Sequence, residues 1–217
     1  MLKYIIIGFL SVLSLVTCSQ NFNQRVIDSS RVAVTIDSLR KIYGHNKIIP
    51  GRYELAALTA LSRFPELDST KIVFKPKKIK TTLNTRPAVW SLLFGNRQNR
   101  KYIIRINKRK KDSLIMFDQV PFNAKIGLLG HEFSHIIDYK NKGLSGVAKR
   151  GWTYGNKTQK EQFEKEIDSI TINRGLGWQL YDWSEYVLKK SEAKQSYKEF
   201  KKEIYLEPDE IKEMLLK

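Results

Sequence analysis

The sequence predicts a single α+β domain in which several helices pack on a small mixed or antiparallel sheet with an exposed edge strand. Three observations carry that prediction. The chain has 217 residues, 41% hydrophobic and 11% aromatic, which is enough for one buried core. Two stretches have the composition or alternation of strands, while most of the remaining apolar residues recur at helical spacing. The clearest pattern in the chain, residues 123 to 142, is an amphipathic helix that follows the second strand.

The elements follow in chain order. Lys3 precedes an apolar run from Tyr4 to Leu10 and from Val12 to Val16, and polarity returns at Ser19, which is the pattern of a signal peptide. The only cysteine closes the run in Leu15-Val16-Thr17-Cys18-Ser19. That ending resembles the lipobox read by the lipoprotein signal peptidase, with Thr17 standing where Gly, Ala or Ser is usual. The resemblance implies that residues 1–17 are removed and that Cys18 is lipidated. The domain 18–217 is then expected in a bacterial cell envelope, anchored to a membrane and facing the periplasm or the exterior. An ordinary signal peptide or an uncleaved anchor exports the domain as well. With no second cysteine there is no internal disulfide, so stability must come from packing and from any bound metal.

Residues 23 to 42 carry Ile27, Val32, Val34, Ile36, Leu39 and Ile42 at imperfect helical spacing, and Tyr43-Gly44 reads as the stop. A second helix is expected from about Arg52 to Arg63, ended by Phe64-Pro65. Residues 71 to 74 read as a short strand. Lys101 to Asn107 alternates Tyr102, Ile104 and Ile106 with polar neighbours and reads as a half-exposed strand. Thr81 to Asn99 has no sustained period and reads as a loop with a short hairpin or helical turn. The helix from Asn123, its expected N-cap, to Lys142 comes next. A helix from about Lys157 to Asn173 then buries Phe163, Ile167 and Ile170, and the stretch after Trp178 is helical with a break near Pro208.

Lys and Arg number 39 against 22 Asp and Glu, a formal charge of +17 that favours anionic surface contacts. The basic residues are spread along the chain and mixed with acids, without a nucleic-acid-binding motif, so no nucleic acid is expected as a partner. The lysine clusters at 77 to 80 and 108 to 111 read as solvated loop or edge charges.

The chemistry lies in His131-Glu132-Phe133-Ser134-His135, an HExxH pattern inside the clearest helix. At i and i+4 both imidazoles project from one helical face and can share one metal. Glu132 lies about 100° round the helix and can reach a water beside that metal. Chance produces these three residues in a chain of this length on the order of once in a hundred sequences, so context must support the motif. It does, since two of the chain's three histidines are spent there.

A third ligand is needed. His45, the remaining histidine, reads as a surface loop residue, and the position six past His135 is Asn141, which departs from the metzincin pattern. Glu164-Lys-Glu-Ile-Asp168 on the next helix offers a carboxylate with an aspartate four residues on. Glu166 flanks the same stripe without such a partner, and the choice between Glu164 and Glu166 stays open in the sequence, with Glu164 preferred.

This set of residues resembles the zincin metallopeptidases of the gluzincin type, and the Glu-x-x-x-Asp signal is similar to that of the membrane-associated prenyl-protease-like group. The resemblance covers about residues 71 to 175, the domain core, with 176 to 217 as a helical C-terminal part. It implies a zincin-like fold and zinc held by His131, His135 and Glu164. Asp168 is then expected to hold a histidine ligand, and Glu132 to act as general base on a zinc-bound water that hydrolyses a peptide bond. No downstream histidine stands ready to steady the oxyanion. Tyr181 is the candidate taken, beside Tyr154 and Tyr186. An extended peptide or protein substrate is expected to add to the exposed strand around Tyr102 to Ile106. Two alternatives remain: a lipid-anchored basic module that binds anionic envelope polymers around a structural zinc, and a zinc hydrolase of a non-peptide bond.

Overall fold

Four strands form one mixed sheet: Lys47–Ile48 (β1), Lys71–Lys77 (β2), Leu83–Pro87 (β3) and Lys101–Asn107 (β4). Their order is β1-β2-β4-β3, with β1 and β4 parallel to β2 and with β3 antiparallel to β4. The computed structural model describes residues 24–109 and 115–217, so the signal segment, Cys18 and the pair Lys110-Lys111 lie outside the described residues.

The alternation in β4 reports which face is wet. Tyr102, Ile104 and Ile106 are buried, while Lys101, Ile103 and Arg105 are half-covered on the other face. That pattern does not make β4 an edge. β4 lies between β2 and β3, in register with both, and the edge beside the helical layer is β3. The exposed edge expected at Tyr102 to Ile106 is therefore corrected to an interior strand, because a period of two distinguishes faces and not edges. β3 comes from the stretch read as a loop. Asn84, Arg86 and Pro87 are poor strand formers, and the segment is held by pairing with β4 and by inward-facing Leu83, Thr85 and Pro87. A one-and-a-half-turn helix, Val89–Phe94 (α4), returns the chain to β4.

Before the sheet, the single helix expected over 23 to 42 is divided. Ser29–Ala33 (α1), capped by Asp28, stops at Val34-Thr35, and Ile36–Tyr43 (α2) begins anew. Thr35 turns its hydroxyl back to the carbonyl of Val32, a local bond that competes with helix continuation. Gly51–Leu61 (α3) follows Pro50 and buries a small-residue face of Ala56, Ala57, Ala60 and Leu61.

The central helix is Phe122–Lys140 (α5). Pro121 precedes it, and Asn123 is inside the first turn, so Asn123 is not the N-cap. Its side chain instead accepts from Ile27 N and donates to Arg25 O and Asp182 Oδ2, joining the start of the chain to the C-terminal half. Phe133 of α5 meets Phe64 edge to face at 5.8 Å, and both are fully buried.

Leu144–Thr153 (α6) was not expected from the sequence. Lys157–Thr171 (α7), capped by Asn156, runs into a wide turn at Ile172–Leu176, where Gly175 takes φ 74 and the chain swings into Gly177–Glu185 (α8). Gln195–Ile204 (α9) and Pro208–Leu216 (α10) complete the helical layer. α8 lies directly on α5 because Gly127 leaves room: a Cβ there would stand 2.1 Å from the backbone oxygen of Gln179. Among the described residues, no helix is long and apolar enough to cross a membrane.

Candidate metal centre

The buried middle of α5 and the first half of α7 meet around three ligand atoms. His131 Nε2 and His135 Nε2 are 3.1 Å apart, and Glu164 Oε2 is 3.2 Å from the first and 3.3 Å from the second. The i and i+4 positions on α5 supply the two rings on one face, and α7 brings Glu164 over them. All three residues are buried, and Glu164 Oε2 has no hydrogen-bond partner of its own. A buried carboxylate oxygen without a donor is costly to keep, and it is aimed at two imidazole nitrogens. The group fits a metal ion.

The surroundings hold the ligands in place. Asp168 Oδ1 lies 2.7 Å from His131 Nδ1, so that nitrogen donates and Nε2 is the nitrogen that faces the other ligands. The other oxygen of Asp168 accepts from the backbone N–H of Leu206 at 3.0 Å, which fixes the carboxylate from the far side. Tyr154 donates to Glu164 Oε1 at 2.9 Å and leaves Oε2 for the ion. His135 has no partner on Nδ1 and is oriented by packing, between a parallel contact with Tyr139 and an edge contact with Phe163 at 5.3 Å.

The electrostatics agree with a cation at this point. Burial pushes the His131 imidazole down, but the bond to Asp168 and the facing Glu164 carboxylate more than offset it and hold the ring's pKa above its ordinary value. Burial pushes the Glu164 carboxyl up, and the two imidazoles that face it, His135 and His131, bring it well below the usual carboxylate range. Burial and the Glu164 charge push the Tyr154 and Tyr205 phenols upward, so both remain protonated donors.

His131 and Glu132 line a cleft whose cavity volume is about 40 Å³. One wall is the chain entering β3, Thr81 to Leu83, and the opposite wall comes from α8 and the end of α9. Glu132 Oε2 is buried without a partner. This carboxylate is the chain's own candidate for a group that exchanges protons with whatever enters.

No protein-family model, curated protein or solved structure is similar to this chain at a significant level.

Each predicted site residue can now be located. His131, His135 and Glu164 come together, Glu132 faces the cleft and Asp168 holds His131. Glu166 turns to the surface and pairs with Arg150 at 2.9 Å, which leaves Glu164 as the carboxylate of the group. His45 is exposed in a turn. Tyr181 is not among the cleft residues; its hydroxyl donates to Glu185, and Arg25 stacks on its ring, so the expected oxyanion role is corrected. The helical face it occupies points to the N-terminal segment, where Arg25 lies over its ring. Tyr186 donates to Gln119 O and is likewise engaged elsewhere. Tyr205, which sequence reasoning missed, lines the cleft with its ring 5.6 Å from that of His131. It follows α9 in an irregular segment, and no local pattern announces it.

Proposed function

We propose that the protein is a zinc-dependent peptidase, gluzincin-like in its ligand set, and that the single observation carrying this reading is the triangle of His131 Nε2, His135 Nε2 and Glu164 Oε2. Two imidazoles and one carboxylate suit zinc, whose bonds of about 2.0–2.1 Å in a tetrahedral shell put neighbouring ligand atoms about 3.3 Å apart. The three observed separations are 3.1, 3.2 and 3.3 Å. Three protein ligands beside an open cleft favour catalysis over a structural staple, which normally closes its shell with four. Zinc at this position supplies a Lewis acid that polarises a carbonyl and makes water a better nucleophile near neutral pH.

The residues of the chain do the rest. Glu132 takes a proton from the attacking water and hands it to the leaving amine, a role that suits a buried carboxylate with one oxygen unpartnered. Asp168 keeps the His131 proton on Nδ1 throughout. Tyr205 is a phenol held protonated at the cleft wall, and it stands ready to donate to the oxygen on which charge develops. A peptide is held along β3, whose outer edge has no strand neighbour among the described residues, and pairs with it through its backbone. The zincin-like fold is part of the same proposal, supported by an active-site helix that packs against this edge strand. So is anchorage to a cell-envelope membrane through a lipidated Cys18, which is supported by the sequence of the leader.

The test is metal analysis with peptide hydrolysis by the purified protein. Glu132→Gln is expected to keep the metal and lose at least about a hundredfold in turnover, the usual worth of a general base. A variant that turns over normally removes Glu132 from the mechanism.

A further inference from the structure

The cleft contains a positive charge that peptide hydrolysis does not use. Lys201 is the only lysine or arginine among the cleft residues. Its Nζ lies 3.7 Å from the centroid of the Tyr205 ring and 5.8 Å from those of Trp183 and Tyr197. Tyr205 in turn stacks toward His131, so one aromatic ring separates this ammonium from a ligand of the candidate metal centre. No carboxylate or carbonyl among the described residues receives a bond from Lys201.

A second lysine stands close by. Lys160 Nζ is 4.3 Å from the Phe200 ring and 5.7 Å from that of Tyr154, the residue that holds Glu164. It has no carboxylate partner within ion-pair distance either; burial pushes its pKa down, the charge of Glu164 opposes that, and the charge of Lys201 adds to it. Most lysines of a folded surface are spread in water or set against acids. Here two are gathered over the linked rings of Phe200 and Tyr205, where each repels the other. A cation–π contact is a modest interaction when exposed, so the fold gains little from having both.

Charge accounting points the same way. A divalent ion is offset by Glu164 and Asp168, Glu132 adds a negative charge, and the two lysines oppose it. Glu207, the other acid on the wall, is engaged in capping α10 and faces Lys202 at 3.8 Å. Beside Lys201 the cleft wall is apolar, with Leu128, Leu180, Trp183 and Val187.

We infer that Lys201, with Lys160 behind it, is a specificity site for a carboxylate on the substrate, and that the apolar wall takes the neighbouring side chain. The substrate class is a peptide that presents a carboxylate close to the scissile bond, from an Asp or Glu side chain or from the chain terminus. The inference rests on the peptidase reading of the same site.

The experiment uses the full metal-loaded chain and a set of peptides that carry Glu, Gln or Lys at each position, each made with a free and with an amidated C-terminus. Wild type is expected to prefer Glu over Lys at one position, or free acid over amide, by roughly tenfold or more, the worth of one charge-assisted bond. The arm that responds identifies the source of the carboxylate. Lys201→Glu is expected to invert that ratio and Lys201→Gln to flatten it, with metal content and melting temperature confirming that both are folded. Lys212→Glu, the same charge change at an exposed position on α10, should leave the ratio where it was. Hydrolysis that ignores substrate charge, or a ratio unmoved in Lys201→Glu, overturns the inference and leaves the peptidase reading intact. If no peptide is cleaved, fluorescence anisotropy with labelled Glu and Gln peptides decides. Glu peptide bound roughly tenfold tighter, and lost in Lys201→Glu, keeps the anion site while the peptidase reading falls; equal binding overturns the anion site too.

Discussion

At the scale of single residues, the candidate centre depends on a chain of contacts in which each member fixes the next. Leu206 N holds Asp168, Asp168 holds His131, and Tyr154 holds the outer oxygen of Glu164. Such supporting bonds orient a ligand and raise its basicity, and losing one typically costs about tenfold to a hundredfold in metal affinity. Asp168→Asn is therefore expected to weaken zinc by that factor in a competition titration with a chromophoric chelator. His135→Ala, which removes a ligand outright, should retain no stoichiometric zinc after dialysis. If Asp168→Asn bound zinc as tightly as the wild type, the role given to the His131–Asp168 bond would be wrong.

At the scale of elements, the site exists because α5, α7 and α8 approach one another closely. Ser134 and Thr171 bond across the first two helices at 2.9 Å, and Gly127 lets the backbone of α8 lie against α5. A methyl at Gly127 meets the carbonyl carbon of Gln179 at 2.2 Å as well as its oxygen, and backbone cannot step aside as a side chain can. Overpacking of this kind costs about 1–3 kcal/mol or more. Gly127→Ala should lower the denaturation midpoint accordingly, while Gly151→Ala, where a Cβ meets nothing within 4 Å, should not.

This scale also separates what the sequence discloses from what it conceals. His131, Glu132 and His135 are legible because i and i+4 on a helix is a local rule, and Glu164 with Asp168 is legible for the same reason. β3 is not, since Asn84, Arg86 and Pro87 have little strand preference and only pairing with β4 makes them a strand. Lys201, Tyr205 and Leu206 reach the site through the path of the chain after α8. That path is set by tertiary packing, and no spacing in the sequence ties these residues to α5. The alternation in β4 was readable as a wet face and unreadable as a place in the sheet order.

At the scale of the whole molecule, a buried cluster that attracts a cation couples metal, protons and stability. His131 has its pKa raised from an ordinary 6.5 to about 10, because the bond to Asp168 and the facing Glu164 carboxylate outweigh burial. A group raised in the folded state adds stability that is full below its unfolded pKa and is lost as pH climbs through the folded one. The metal-free protein should therefore melt at progressively lower temperature as pH rises from about 6.5 to 10. On the proposed reading zinc would take the place of that proton, so the metal-loaded protein should show a flatter profile in the same range. Differential scanning fluorimetry at constant ionic strength, with and without chelator, reads both curves. Zinc should also raise the melting temperature at neutral pH, because an ion that binds only the folded chain stabilises it by mass action.

The most direct test of the central claim is the zinc content of the purified protein measured beside peptide hydrolysis, in the wild type and in Glu132→Gln, with and without chelator. One zinc per chain is expected in both proteins, with hydrolysis in the wild type alone and loss of that hydrolysis when the chelator removes the metal. A wild-type chain that binds no zinc, or hydrolysis that survives both the chelator and Glu132→Gln, would contradict the claim.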